Sequence, residues 1–242
     1  MFNLKNKTAL VTGSTQGIGY AIAQTFAKAG ARVFVHCSSD IGKAEKIRAE
    51  LGAFGAVTAD LSDENATHAL HKATGDVDIL VTNASVQFRT PWDKIPISEL
   101  DKQVNVNFKS TLLLMQAYYP AMKEKGWGRI ITVGSVQQTK PHPDMAIYAA
   151  TKCAVMSLVK NVAKQVAPFG VTVNNLSPGV IATPRNDAAL SDPIYAEKVM
   201  AGIPMHFAGE PSDMAGAALL LASDAGRYMT GIDLAVDGGM GL

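Results

Sequence analysis

Thr8-Ala9-Leu10-Val11-Thr12-Gly13-Ser14-Thr15-Gln16-Gly17-Ile18-Gly19 is the stretch on which the fold turns. A β-rich run of four residues meets a glycine, and from residue 18 to 29 apolar side chains recur at helical spacing until Gly30, a natural C-terminal stop. The order is strand, glycine turn, helix. Gly13, Gly17 and Gly19 allow close backbone approach where N–H groups and the dipole of the following helix favour a bound pyrophosphate. The pattern then repeats: predicted strands at 32–36, 56–59, 78–82, 129–134, 171–176 and 233–236 alternate with predicted helices at 43–51, 64–73, 97–125, 148–167 and 212–222.

Such alternation implies right-handed crossovers and an α/β fold, a single doubly wound Rossmann-type domain with a parallel sheet of about seven strands and helices on both faces. No linker or compositional break divides the chain, so one domain is expected over residues 1–242. The exception is an excursion at 183–209, rich in Pro, Met and small residues, placed where a lid over the carboxyl ends of the strands would lie.

Hydrophobic residues make up 48% and charged residues 18%, the balance of a self-folding globular domain. The net charge of +1, from 22 Lys+Arg against 21 Asp+Glu, excludes the broad positive field of a nucleic-acid binder. No apolar run approaches the ~18 residues of a membrane span. The chain enters a strand almost at once, leaving no room for a signal peptide, so a cytoplasmic location is expected, with Cys37 and Cys153 as reduced thiols. Neither cysteines nor histidines show metal spacing, and no metal is expected. His36, His68 and His71 read as surface or cofactor-rim residues, His142 and His206 as pocket neighbours.

The glycine turn resembles the Thr-Gly-x-x-x-Gly-x-Gly motif of the short-chain dehydrogenase/reductase family, and the likeness continues to Asp237-Gly238-Gly239 at the end of the chain. It implies a nicotinamide dinucleotide held by Gly13, Ser14, Thr15, Gln16, Gly17, Ile18 and Gly19. Asp60-Leu61 matches the family pair near the adenine, although Asp60 also reads as an ordinary helix N-cap. Asn83-Ala84-Ser85 resembles the family's Asn-Ala-Gly, and Ser85 lacks glycine's backbone freedom. Pro178, Gly179, Val180, Ile181 and Thr183 match the segment that contacts the nicotinamide carboxamide. An acid after the second strand would select NAD. Here Cys37 holds that slot, followed by Ser38 and Ser39, while Gln16 stands where NADP-dependent relatives often carry a base. The balance leans to NADP(H), with NAD(H) as the alternative.

Tyr148 and Lys152 stand four residues apart on one helix face, and a nearby ammonium favours a phenolate. Tyr119 and Lys123 repeat that spacing. Only the first pair has a partner, Ser135, at the end of a strand. Ser135, Tyr148 and Lys152 thus match the family's catalytic residues. The long helix offers Asn105 and Asn107 as the fourth; counting back from Gly128-Arg129 favours Asn107, expected to hold, through backbone and side chain, a water that links Lys152 to solvent, or merely to bend the helix. The mechanism implied by the resemblance is hydride transfer between nicotinamide and an oxygen-bearing carbon, with Tyr148 as acid or base, Ser135 positioning the oxygen and Lys152 holding the ribose.

Substrate contacts are expected from Gln87, Arg89, Gln137, Gln138, His142, Arg185 and Asn186. Donors dominate, which points to a small polar or anionic substrate such as a sugar, polyol, sugar acid or hydroxy acid. The runner-up is a 3-oxoacyl-[acyl-carrier-protein] reductase, for which Arg129 is present but Phe169 stands where a base would help. A non-catalytic dinucleotide-binding sensor would not need Ser135, Tyr148 and Lys152 together. The apolar surface of the 97–125 and 148–167 helices suggests a subunit interface, and the family commonly forms homotetramers.

Overall fold

A computed structural model describes residues 1–242, the side chains of residues 188 and 189 excepted. The elements run β1 (Thr8–Val11), α1 (Gly17–Lys28), β2 (Arg32–Cys37), α2 (Ile41–Leu51), β3 (Gly55–Thr58), α3 (Ala66–Thr74), β4 (Ile79–Thr82), α4 (Ile97–Gln103), α5 (Ser110–Lys125), β5 (Gly128–Val133), α6 (Ala146–Val166), β6 (Val171–Pro178), α7 (Asp187–Leu190), α8 (Pro193–Ala201), α9 (Pro211–Ala222) and β7 (Asp233–Val236). The seven strands form one parallel sheet in the order β3-β2-β1-β4-β5-β6-β7. This is the doubly wound arrangement that the alternation predicts.

Successive strand residues point to opposite faces, so each strand feeds two cores. Ala9, Val11, Val33 and Val35 pack with Ile22 and Phe26 of α1 and Met214, Ala218 and Leu221 of α9. Leu10, Leu80, Ile130 and Val173 pack on the other side with Leu114 and Tyr118 of α5 and Val155 and Val159 of α6. Burial on both faces explains why β1 and β4 are apolar runs rather than alternating ones. Each fully buried Ile or Phe contributes about 1.5–3 kcal/mol relative to exposure.

Two segments differ from the sequence reading. The predicted 97–125 helix is broken by a wide turn at Val104–Lys109, where the N–H of Ser110 reaches back five residues to Asn105. The Ser110 and Thr111 hydroxyls donate to the carbonyls of Val106 (2.7 Å) and Asn107 (3.1 Å) across that turn. One extra residue in a turn leaves the apolar periodicity almost unchanged, so the sequence did not reveal it. The 183–209 excursion contains α7 and α8. It leaves and rejoins the body at one point, where Ala182 N–H donates to Gly209 O (2.8 Å) and Gly209 N–H to Val180 O (2.9 Å). Among the described residues, no helix is long and apolar enough to cross a membrane.

The sheet order reverses between β1 and β4, and the crevice at their carboxyl ends is where the glycine turn sits. A Cβ on Gly19 would lie 2.4 Å from both the Gly13 carbonyl oxygen and Asn83 Nδ2, whereas one on Gly216 of α9 would meet nothing within 4 Å. Gly19→Ala should therefore destabilise the protein by about 1–3 kcal/mol through overpacking, while Gly216→Ala should stabilise it by about 0.5–1 kcal/mol through helix propensity. Denaturant unfolding of both variants checks the opposite signs.

Candidate active site

A cavity of about 740 Å³ opens at the carboxyl ends of the strands, within the range of ligand sites. Every residue predicted for the site lines it, except Ser14 and Asn107, which stand behind its wall, Gln138, and the exposed pocket-neighbour candidate His206. Gly13 (φ 63°) and Gly17 (φ 56°) adopt the left-handed conformation that the turn requires. Asn83 at the end of β4 locks this turn. Its Nδ2 donates to the carbonyls of Thr12 (2.8 Å) and Gly13 (3.1 Å), and the Thr12 hydroxyl accepts the N–H groups of Asn83 and Ala84 (3.0 Å each). Ser85 is accommodated without strain, because only Asn6 and His206 among the described non-glycine residues have positive φ.

His36 is not at the surface or the rim. It is 1% exposed, and its Nδ1 accepts the Gly13 N–H (3.0 Å) while Nε2 donates to the Ala59 carbonyl (3.0 Å). Ser14 closes the joint: its N–H donates to the His36 carbonyl (2.9 Å) and its Oγ accepts the His36 N–H (2.9 Å). One imidazole thus ties the glycine turn to the ends of β2 and β3. Burial holds its pKa down at about 4, with the hydrogen bond to Ala59 a smaller opposing effect. A histidine at the end of an apolar strand gives no sequence signal for this role.

Beyond β2, the Cys37 thiol donates to the Asp40 carbonyl (2.9 Å), and Ser38 and Ser39 are exposed on the cavity. Lys43, which the sequence reading passed over, lines the cavity in the first turn of α2 and donates to Gln16 Oε1 (2.7 Å). The ammonium therefore stands at the loop position where Gln16 itself brings no charge. Asp60 is not the cap of α3, which begins at Ala66 after Asn65. Its carboxylate accepts the Ser62 N–H (3.0 Å) and hydroxyl (2.8 Å), and these bonds hold its pKa below the usual carboxylate range.

At the other end, Ser135 caps a short turn after β5; its Oγ accepts the Gln137 N–H (3.1 Å) and its N–H donates to Gln138 Oε1 (3.1 Å). Gln138 continues to Asp233 (2.9 Å) and Asn175 (3.2 Å), so it anchors Ser135 rather than lining the cavity as predicted. Tyr148 and Lys152 occupy the first two turns of α6, 6% and 4% exposed. Lys152 Nζ donates to the Val133 carbonyl (2.7 Å) and lies 5.5 Å from the Tyr148 ring centroid. The Tyr119 and Lys123 pair lies away from the cavity: Lys123 Nζ sits 4.4 Å from the Phe169 ring centroid and Tyr119 packs against the core.

The charges differ from the expectation. Burial raises the Tyr148 phenol above its ordinary value, opposed by the Arg185 guanidinium and then by the Ser135 hydroxyl. Burial, with a smaller push from Arg185, lowers Lys152 to about 7. Arg185 is thus the cation that opposes burial at the phenol, while burial disfavours charge on Lys152 as well. Asn107 stands behind the cavity wall, and its side chain is fully engaged by protein groups. Its Nδ2 donates to Val86 O (2.9 Å) and Thr151 Oγ1 (3.2 Å) and its Oδ1 accepts the Val86 N–H (2.9 Å), so the side chain clamps α6 to the segment after β4.

A family model described as Enoyl-(Acyl carrier protein) reductase matches residues 13–241. The chain is 39% identical to 3beta-hydroxysteroid dehydrogenase 1 of Eggerthella lenta over 99% of its own length and 95% of that protein's. It is also 39% identical to the 3-oxoacyl-[acyl-carrier-protein] reductase of Escherichia coli, covering 98% of each. Among solved structures, a gluconate 5-dehydrogenase from Burkholderia cenocepacia in complex with NADP and tartrate superimposes with a TM-score of 0.91 at 32% identity, over 99% of this chain and 96% of that one.

The buried neutral His36 has a consequence for pH. Its folded pKa, about 4, lies below the ordinary 6.5, so the unfolded chain takes up the proton first as pH falls. Its contribution is present above 6.5 and is lost between about 6.5 and 4, amounting to about 3 kcal/mol at most. Urea unfolding from pH 7.5 to 4 should show a shallower decline of stability in His36→Asn than in the wild type.

Proposed function

The chain belongs to the short-chain dehydrogenase/reductase family, and on that premise we propose that this NAD(P)-dependent oxidoreductase acts on the carbonyl or secondary alcohol of a small polar substrate, a sugar, polyol, sugar acid or hydroxy acid. The observation that carries the reading is the meeting of Ser135, Tyr148 and Lys152, all buried, at one end of a cavity whose other end is the glycine turn.

The residues present fit a dinucleotide. The turn that would cradle it is closely packed and needs its glycines, since added Cβ atoms at Gly13 and Gly19 would lie 3.0 Å from Ala84 Cα and 2.4 Å from the Gly13 carbonyl. The turn from Gly13 to Gly19 would hold the pyrophosphate, Asp60 and Leu61 the adenine, Lys152 the nicotinamide ribose, and the segment from Pro178 to Thr183 the carboxamide. When bound, the nicotinamide supplies the hydride acceptor or donor. Tyr148 takes the hydroxyl proton as the alcohol is oxidised and returns it as the ketone is reduced. Ser135 holds the reacting oxygen beside that phenol. Lys152, with its pKa near 7, exchanges protons around neutrality and charges readily when an anionic neighbour is present.

NADP(H) is the favoured cofactor. The acidic slot after β2 holds the neutral Cys37, Ser38 and Ser39 offer hydroxyls, and Lys43 supplies the cation missing from Gln16. The NADP in the gluconate 5-dehydrogenase structure supports this preference. NAD(H) remains the alternative.

The three relatives act on a steroid, a carrier-bound acyl chain and gluconate by their descriptions. Gln87, Arg89, Gln137, His142, Arg185 and Asn186 on the cavity wall favour the third kind. Against the acyl-carrier reading, Arg129 is 3% exposed and stacks 4.2 Å from the Trp127 ring centroid, out of reach of an acidic partner. A cytoplasmic homotetramer is part of the same proposal; the half-exposed Leu112 and Leu113 on α5 and Leu158 and Val162 on α6 supply the apolar surface for it.

In a screen of polar ketones and secondary alcohols followed by nicotinamide absorbance, Tyr148→Phe should lower kcat by about 10²–10⁴-fold. Turnover retained in that variant contradicts the acid/base assignment. Lys43→Glu should lower the kcat/KM preference for NADP over NAD on the order of tenfold or more, by setting an anion against the extra phosphate.

A further inference from the structure

We propose that Arg185 is the seat of a substrate carboxylate, which narrows the substrate to a polyhydroxy or hydroxy acid; this rests on the oxidoreductase reading of the same site. Arg185 follows the point where the excursion leaves β6, and its fork reaches across the cavity mouth. Nη1 and Nη2 each donate to Ser85 Oγ (3.1 Å), and Nη2 also donates to the Ser85 carbonyl (2.8 Å). Its charge is close enough to Tyr148 to act on the phenol. Both partners on Ser85 are neutral. Among the described residues no carboxylate stands within 4.0 Å of Arg185.

Arg89 and Lys152 line the same cavity, whereas the wall's two carboxylates, Asp40 and Asp60, are engaged, Asp40 by the N–H of Lys43 (2.9 Å) and Asp60 by Ser62. A planar guanidinium donating to a neutral hydroxyl and carbonyl exchanges them favourably for a carboxylate, whose two oxygens match its fork and whose charge strengthens each bond. Gln137 adds a second mark: its Oε1 is buried on the cavity wall without a hydrogen-bond partner. An acceptor in that state suits a hydroxyl donor. A carboxylate at Arg185 with hydroxyls reaching Gln137 describes a sugar acid or similar hydroxy acid. Ser85, which replaces the family's glycine, is what holds Arg185 over the phenol beforehand.

The test is calorimetric titration of tartrate, a dihydroxy diacid, and of threitol, its uncharged counterpart, into the NADP-loaded protein. Wild type should bind tartrate at least about tenfold more tightly than threitol, Arg185→Met should reduce the difference to about threefold or less, and Arg185→Lys should restore part of it. No tartrate binding by wild type, no discrimination by wild type, or discrimination undiminished in Arg185→Met overturns the proposal. Arg185 is exposed, so the variants leave the core intact, and matching Tm values verify that. Tyr148→Phe separates the two readings: tartrate discrimination together with undiminished turnover removes the acid/base role and keeps the seat, whereas lost turnover with discrimination indifferent to Arg185 removes the seat alone.

Discussion

A glycine turn has more hydrogen-bonding groups than it can satisfy by itself, and in this protein the residues that satisfy them also build the site. Asn83 takes up two carbonyls from the β4 side, and His36 takes up the Gly13 N–H from the β2 side. Each brings its strand end into register with β1. The crevice at the reversal of the sheet is therefore not a gap left by topology alone. It is a surface held open by the paired side chains of Asn83 and His36, and a buried donor or acceptor left unpaired there would cost about 1–3 kcal/mol.

The same constraint governs the chemistry. Tyr148 and Lys152 are more than nine-tenths buried, and burial disfavours charge on each. A phenol and an amine on both of which burial disfavours charge form a site with little fixed charge of its own. The charge comes from Arg185, which is exposed and held by Ser85. Its location on the excursion means that the electrostatics of the proton-transfer group respond to whatever occupies the mouth.

The fold was legible in the sequence because a parallel sheet buried on both faces needs apolar strands separated by amphipathic helices, and that pattern survives small errors at element ends. The glycine turn, Ser135, Tyr148 and Lys152 were legible because chemistry fixes their residue types and spacing. His36 and Lys43 were not. Their roles depend on which strand and helix ends lie side by side, and β2 meets the glycine turn only through the sheet order. The wide turn at Val104–Lys109 escaped for a related reason: a single added residue shifts Asn107 toward Val86 and Thr151 without disturbing the apolar stripe that announces a helix. Gln138 looked like a cavity residue because it adjoins Gln137, yet the short turn after Ser135 sends the two side chains in different directions.

Relatives at nearly 40% identity carry names for a steroid and an acyl-carrier substrate, which follows from how this structure divides its work. The glycine turn is held by strand termini whose positions the whole sheet fixes. Ser85, Gln137 and Arg185, which line the cavity and are proposed to meet the substrate, sit on three connections. A change of serine for glycine at position 85 and of arginine at position 185 alters the charge at the mouth while leaving β1, β4 and α6 in place. Specificity in such a frame is decided by a few side chains on loops, and overall likeness carries little information about it.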